Sequence, residues 1–426
     1  MKKSLFLLAL LFAVNTLNAQ VIKYEDHFTP ERLRIDLMFA GDSKSQHIFL
    51  DGLKMEPRWS GSKISLVAPF DYGEYRLDVV EKSGKLIYSS GFNNLFQEWR
   101  TTAEAAKTPR AFSGSCRIPF PKSVVMVNIS ERVKQDGKFI QIASFEIDPL
   151  DKLINREREN HFKTDTLHYS GNPSKKVDLL FIAEGYTAEE MDKFRKDATR
   201  FVSYLFETEP YKSRKSDFNI WALESVSQES GPDIPHQGIW KNTVAASNFY
   251  TFRLDRYLTA PDHKKVSSLA SESPCDAMYV IVNTNKYGGG GIYNYYGLSM
   301  ADHATASQVF VHEFGHSFAG LGDEYYASEV AYEDFYNLKT EPWEPNLTTL
   351  VDFDRKWKKL IDSNTPQPTP NDEMYKGITG VFEGGGYMTK GIYRPALDCR
   401  MKSNTAPGFC EVCTKAIGEM IDYYTK

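Results

Sequence analysis

The sequence predicts two structural parts, an N-terminal β-sandwich over residues 20–155 and an α/β domain over residues 165–426. Three observations carry this. Short apolar runs with turn residues between them recur up to about residue 150, the spacing of a sandwich. Val177 to Ala183 is then a nearly continuous apolar run broken only by Asp178, as a strand buried on both faces requires. Directly after it, Thr187-Ala188-Glu189-Glu190 has the form of a capping box, ahead of an amphipathic helix that runs to about Glu207. Further strands over Asp217–Val226 and Ala277–Val282 complete the strand–helix–strand grammar of a mostly parallel sheet.

In the front part the runs are Leu33–Phe39, Ile48–Leu50, Lys63–Ala68, Glu74–Val80, Lys85–Tyr88, Ser123–Ile129 and Phe139–Ile147. Phe70-Asp71-Tyr72-Gly73 and Gln135-Asp136-Gly137 supply turns. No chemical constellation stands out there, and His27 and His47 read as surface residues. Asp151 to Ser174 is charged, ends in Gly171-Asn172-Pro173 and reads as the connector. Gly288 to Gly291 lacks the Gly-Lys-Ser/Thr of a phosphate loop. It reads as a flexible turn, or as a sheet edge that leaves room for another backbone. Glu341 to Glu373 is rich in proline and charge and reads as a surface excursion. Cys410 to Tyr424 has the spacing of a closing helix.

Composition is that of ordinary globular material, 41% hydrophobic and 25% charged. Aromatics at 13% suit strand-rich structure. Net charge is −5 and no basic tract interleaves with aromatics, so nucleic acid is not an expected partner. Lys2-Lys3, the apolar run Leu5 to Val14, and Leu17-Asn18-Ala19 read as a signal peptide over residues 1–19. The expected locale is secreted, periplasmic or cell-surface, with no membrane span in the mature chain. Export makes disulfides feasible among Cys116, Cys275, Cys399, Cys410 and Cys413. Three of these crowd near the C-terminus. They read either as a disulfide staple or, less well without a nearby histidine, as a cysteine-rich zinc site.

The chemistry concentrates at His312-Glu313-Phe314-Gly315-His316. A helix over Ala304–Ala319 puts Phe310, Phe314 and Phe318 on one stripe. It also puts His312 and His316 one turn apart on one face. Two neutral imidazoles so placed can hold one zinc ion. Glu313 is rotated off that line, suited to act on water as a general base without being a ligand. A catalytic zinc needs a third protein ligand. In the metzincin pattern a glycine follows the second histidine, and the ligand follows that glycine by three residues. Here Gly320 comes one residue late and Asp323 follows it by three. A glycine that tolerates positive φ can turn the chain back and bring Asp323 to the metal. Glu324 and His303 are the alternatives.

Residues 312–325, His-Glu-Phe-Gly-His-Ser-Phe-Ala-Gly-Leu-Gly-Asp-Glu-Tyr, resemble the IgA-peptidase family of secreted bacterial zinc metallopeptidases. Further similar blocks are Asp178 to Tyr186, the glycine run before Tyr293, Gly384 to Tyr387, and Gly391 through Pro395. The front half is similar to the module that often precedes this catalytic domain. The resemblance implies a metzincin-like domain with a methionine turn under the metal. Cys399-Arg400-Met401 is the best match for that turn, and Met388 a weaker one. Tyr387 and Tyr393, near that turn, are candidates for an oxyanion donor or for packing.

The expected function is therefore zinc-dependent hydrolysis of peptide bonds in protein or glycoprotein substrates, with Glu313 as general base. The family's name brings in immunoglobulin A, although no residue here reports a sequence preference. Two other readings are a host glycoprotein- or mucin-binding protein with a vestigial hydrolase, and a zinc hydrolase of a non-peptide amide.

Overall fold

The computed structural model describes residues 22–158, 162–326 and 336–426. The leader expected over residues 1–19 lies outside them. After a short helix, α1 (Tyr24–His27), come β1 (Phe28–Gly41), β2 (Gln46–Glu56), β3 (Tyr75–Glu81) and β4 (Leu86–Phe92). Helix α2 (Leu95–Arg100), β5 (Arg110–Pro121), β6 (Val125–Arg132) and β7 (Phe139–Ile147) follow. They form two antiparallel sheets, ordered β2-β1-β5 and β4-β3-β6-β7. Alternate residues of both sheets meet in one core, as period-two patterning requires. Leu33, Ile35, Leu37 and Phe39 face Tyr75, Leu77 and Val79, with the Phe39 and Tyr75 rings 5.4 Å apart.

The differences from expectation have local causes. Lys63–Ala68 is not a strand. Leu66 is buried, but Ile64 is 71% exposed, and the segment makes only an isolated bridge from Val67 to Ser89 among the described residues. Strand β5 was not anticipated, because Gly114, Pro119 and Pro121 interrupt its pattern. It nevertheless pairs with most of β1. Helix α2 also went unread; its signal is Asn94, whose side chain accepts from Gln97 N.

The second part contains β8 (Thr164–His168), β9 (Val177–Glu184), β10 (Phe218–Leu223), β11 (Ala277–Val282), β12 (Gly289–Ile292) and β13 (Tyr296–Met300). They form one mixed sheet in the order β12-β13-β11-β9-β10-β8. The four inner strands are parallel, and the two edge strands are antiparallel to their neighbours. Strand β8 occupies part of the predicted connector. The capping box at Thr187 and Glu190 is formed, and α3 (Met191–Glu207) follows it. Helices α4 (His263–Leu269), α5 (Ala306–Ala319) and α6 (Glu411–Thr425) and a hairpin of β14 (Phe382–Gly385) and β15 (Met388–Arg394) complete the chain.

All of β9 is buried, and its two faces have different covers. Val177, Leu179, Phe181 and Ala183 pack with Phe194 and Phe201 of α3, Phe310 and Phe314 of α5, and Ile417 of α6. Leu180 and Ile182 belong instead to the core that contains the front sheets. The front part, together with Val266 of α4, thus forms the second layer over the mixed sheet. Polar contacts fix the joint. Arg32 donates to the carbonyls of Ala270 (2.9 Å) and Ser271 (2.7 Å) just past α4, and Ser115 N donates to His263 Nδ1 at 3.0 Å.

At this joint Glu56, fully buried, pairs with Arg32 (2.5 Å), Arg34 (3.2 Å) and Arg117 (3.2 Å). Burial alone would raise its pKa, but the three guanidinium groups outweigh it and hold it below the ordinary 4.5. Its contribution to stability is therefore complete above the unfolded-state value and lost as pH falls through the lower folded-state value. Glu56→Ala would leave buried arginines uncompensated, at a cost of about 3–5 kcal/mol. Urea denaturation at neutral pH checks this; a loss below about 1 kcal/mol would show that water already screens the cluster.

Candidate active site

Helix α5 is held by its aromatic stripe. Phe310, Phe314 and Phe318 stack in sequence, with centroids 6.1 and 5.0 Å apart, against the helical core. The opposite face presents His312, Glu313 and His316 to a cleft of about 390 Å³. Strand β12 crosses close above them. A Cβ on Gly291 would come within 2.2 Å of the Glu313 carbonyl, and one on Gly289 within 2.9 Å of Glu313 Oε1. The glycine run is thus a sheet edge, and glycine is needed because the strand lies directly on the helix backbone.

Each histidine is oriented by a backbone carbonyl. His312 Nδ1 donates to Arg400 O at 2.9 Å, and His316 Nδ1 to Leu321 O at 2.5 Å. A carbonyl only accepts, so both Nδ1 atoms carry hydrogen and both Nε2 atoms face the cleft. The two Nε2 atoms are 3.0 Å apart.

Gly320 ends α5 at φ +65°, a left-handed conformation that turns the chain back. Asp323 Oδ1 then lies 3.1 Å from His312 Nε2 and 3.2 Å from His316 Nε2. Asp323 is 7% exposed, and the two imidazoles are the groups that face Oδ1. Burial opposes its charge, but His316 and His312 hold its pKa well below the usual carboxylate range. Burial likewise disfavours an imidazolium at His316, yet Asp323 and Glu313 hold its pKa up to about 9. The trio therefore seeks a cation. A proton can bridge one edge of this near-equilateral triangle, whereas a divalent metal ion can face all three corners. A tetrahedral zinc about 2.0–2.1 Å from each donor calls for edges of roughly 3.3 Å, close to those observed. The residues fit such an ion.

Met401 is fully buried, and a Cβ on Gly315 would lie 3.0 Å from its sulfur. It therefore packs under the helix turn that bears both histidines. Met388 is half-exposed on the hairpin. Tyr387 lines the cleft and donates its hydroxyl hydrogen to Asp323 Oδ2. Its backbone N–H donates to Tyr325 O at 3.0 Å, and that of Gly386 to Asp323 O at 2.8 Å, so the hairpin holds the 323–325 segment in place. Tyr393 packs instead in a satellite cluster with Phe353 and Trp357. His303 caps its own turn, with Nδ1 2.9 Å from Thr305 Oγ1. Glu324 is buried and faces Cys413 and Asn346 rather than the histidines. Neither alternative ligand joins the trio.

Several residues around the cleft carry no sequence signal. Arg256 lines it; burial works against its charge, but Tyr325, Tyr287, Asp323 and Glu313 together hold its pKa above the ordinary value. The Tyr325 ring stacks on that of His312 at 6.4 Å. Asn93 and Glu98 reach the cleft from the front part. The Asn93 N–H donates to Tyr293 O at 2.9 Å, and Glu98 accepts from the Tyr257 hydroxyl.

The chain matches the family described as IgA Peptidase M64 over residues 166–376 and 371–421. It belongs to the M64 peptidase family. A second match, described as Peptidase M64 N-terminus, covers residues 23–143. No curated protein matches the chain. The first match contains the three convergent donors, Glu313 and Met401. The M64 N-terminal match contains Asn93 and Glu98, so both matched segments build the cleft of this M64 peptidase.

Tyr387→Phe removes the hydroxyl that steadies Asp323. The affinity of the histidine site for an added divalent metal ion is expected to fall about 10–100-fold, the usual effect of losing such a support. Competition against a chromophoric chelator measures this, and an unchanged affinity would show that the hairpin backbone alone holds Asp323.

Proposed function

We propose that this M64 peptidase is an exported, metzincin-like zinc endopeptidase whose metal is held by His312, His316 and Asp323. The observation that carries this reading is the triangle of two Nε2 atoms and one buried carboxylate oxygen, open to a cleft beside Glu313. A nitrogen–nitrogen–oxygen donor set suits zinc. When bound, the ion supplies Lewis acidity for the attacking water and the scissile carbonyl.

The chain's own residues account for the rest. Burial raises the pKa of Glu313, an effect the flanking imidazoles offset only in part. A carboxylate so tuned takes the proton of the attacking water and delivers it to the leaving amine. Arg256 brings positive charge to where the oxyanion develops. Gly290 and Gly291 on edge strand β12 line the cleft, where an extended substrate can add as a further strand. Residues 20–155 act as the supporting domain and residues 165–426 as the catalytic domain. The leader at residues 1–19 directs export, and among the described residues no helix is long and apolar enough to cross a membrane. The substrate is a protein or peptide, and immunoglobulin A, named in the family description, is the first to try.

Glu313→Gln keeps the shape of the side chain and removes the base. The variant should retain fold and metal while cleavage of a peptide library falls at least about 10²-fold. Undiminished cleavage would overturn the assignment.

A further inference from the structure

The three C-terminal cysteines converge on Glu324. Cys399, Cys410 and Cys413 each offer a sulfur, and Glu324 a carboxylate oxygen, all within 4.8 Å of one another. Cys399, Cys413 and Glu324 are each at most 0% exposed. The five cysteines are free thiols. Cys399 Sγ and Cys413 Sγ are 3.8 Å apart, and Cys413 Sγ is 3.2 Å from Glu324 Oε1. A tetrahedral zinc with Zn–S of about 2.3 Å sets sulfur–sulfur edges at about 3.8 Å.

The surroundings suit anionic ligands. Asn346 donates to Glu324 Oε1 at 3.0 Å, while Oε2 is buried with no hydrogen-bond partner. Cys410 and Cys413 form a Cys-x-x-Cys pair at the start of α6, a fifteen-residue helix whose N-terminus favours thiolates. The Cys410 N–H donates to Cys399 Sγ at 3.2 Å. Arg400 lies near Cys399, and Arg394, 1% exposed, near Glu324, so both bring compensating positive charge.

We propose that Cys399, Cys410, Cys413 and Glu324 form a second, closed zinc site with a structural role. Three thiolates select a soft or borderline metal, and four protein ligands leave no open position. Binding releases the thiol protons to solvent. The site cross-links the turn after α5, the Cys399–Met401 segment and the start of α6. Its ligands adjoin the catalytic cluster in sequence. Glu324 follows Asp323, and Cys399 precedes Arg400, whose carbonyl orients His312. A further tie runs from Glu324 N–H to Met401 O at 2.9 Å. The second site is thereby a positioning device for the first.

The test uses the full chain with His312→Ala and His316→Ala combined, which dismantles the cleft trio and makes the result independent of peptide hydrolysis. After exhaustive buffer exchange, about one zinc per chain should remain, against about two in the parent. X-ray absorption should show sulfur neighbours at about 2.3 Å, and a strong chelator should expose three thiols to alkylation. Adding Cys413→Ser should remove that zinc and lower the melting temperature. A doubly substituted His variant with no zinc overturns the proposal, whether its cysteines are freely alkylated or paired as a disulfide. So does retained zinc with only nitrogen and oxygen neighbours. If the Cys413 variant does not fold, the His variant alone still decides.

Discussion

The mixed sheet needs two covers, and the rest of the structure depends on how it gets them. A strand such as β9, apolar at nearly every position, cannot leave either face in water. Helices α3, α5 and α6 cover one face. The other is shared by α4, through Val266, and by the front sheets, whose strand β1 is itself buried on both sides: Leu33, Ile35 and Leu37 face the front core, and Arg32 and Arg34 face the joint. The front part is thus bound to its neighbour by apolar area and by a buried ion cluster. Interfaces between independently moving domains are smaller and more polar. This is why residues from both parts can line one cleft with fixed geometry.

Much of the cleft was legible because its chemistry is local. His312, Glu313 and His316 sit on one helix, and helical periodicity alone places them. Asp323 was within reach because a glycine three residues before it announced a turn. Tyr387 could be placed near the site but not given its partner: its contact with Asp323 depends on a hairpin docking from sixty residues away. Arg256, Asn93 and Glu98 had no signal at all, since nothing in their neighbourhoods distinguishes them from surface charge and turn residues. Glu324 is instructive. Read along the chain it competes with Asp323 for the same metal, whereas in space consecutive residues face opposite ways, one toward imidazoles and the other toward sulfur.

The fold follows the same division. Strand β11 and the capped helix α3 were readable because their patterns are uninterrupted. Strand β5 was not, since two prolines and a glycine break its alternation, and its place is set by pairing with β1. Lys63–Ala68 had the composition of a strand but finds no ladder, and composition without a partner does not make a sheet. The connector concealed β8 because a polar edge strand lacks the apolar rhythm of an inner one.

The glycine strand above the helix has a last consequence. An edge built from Gly289, Gly290 and Gly291, bridged at Gly289 by Tyr257, offers main chain and almost no side chains, so an extended polypeptide held there would be held with little regard to its sequence. The other walls of the cleft carry the side chains, Arg256, Trp343 and Tyr387 from the second part and Asn93 and Glu98 from the front part. A change at Asn93, Glu98 or their neighbours would therefore reshape one wall of the cleft while leaving His312, Glu313, His316 and Asp323 in place.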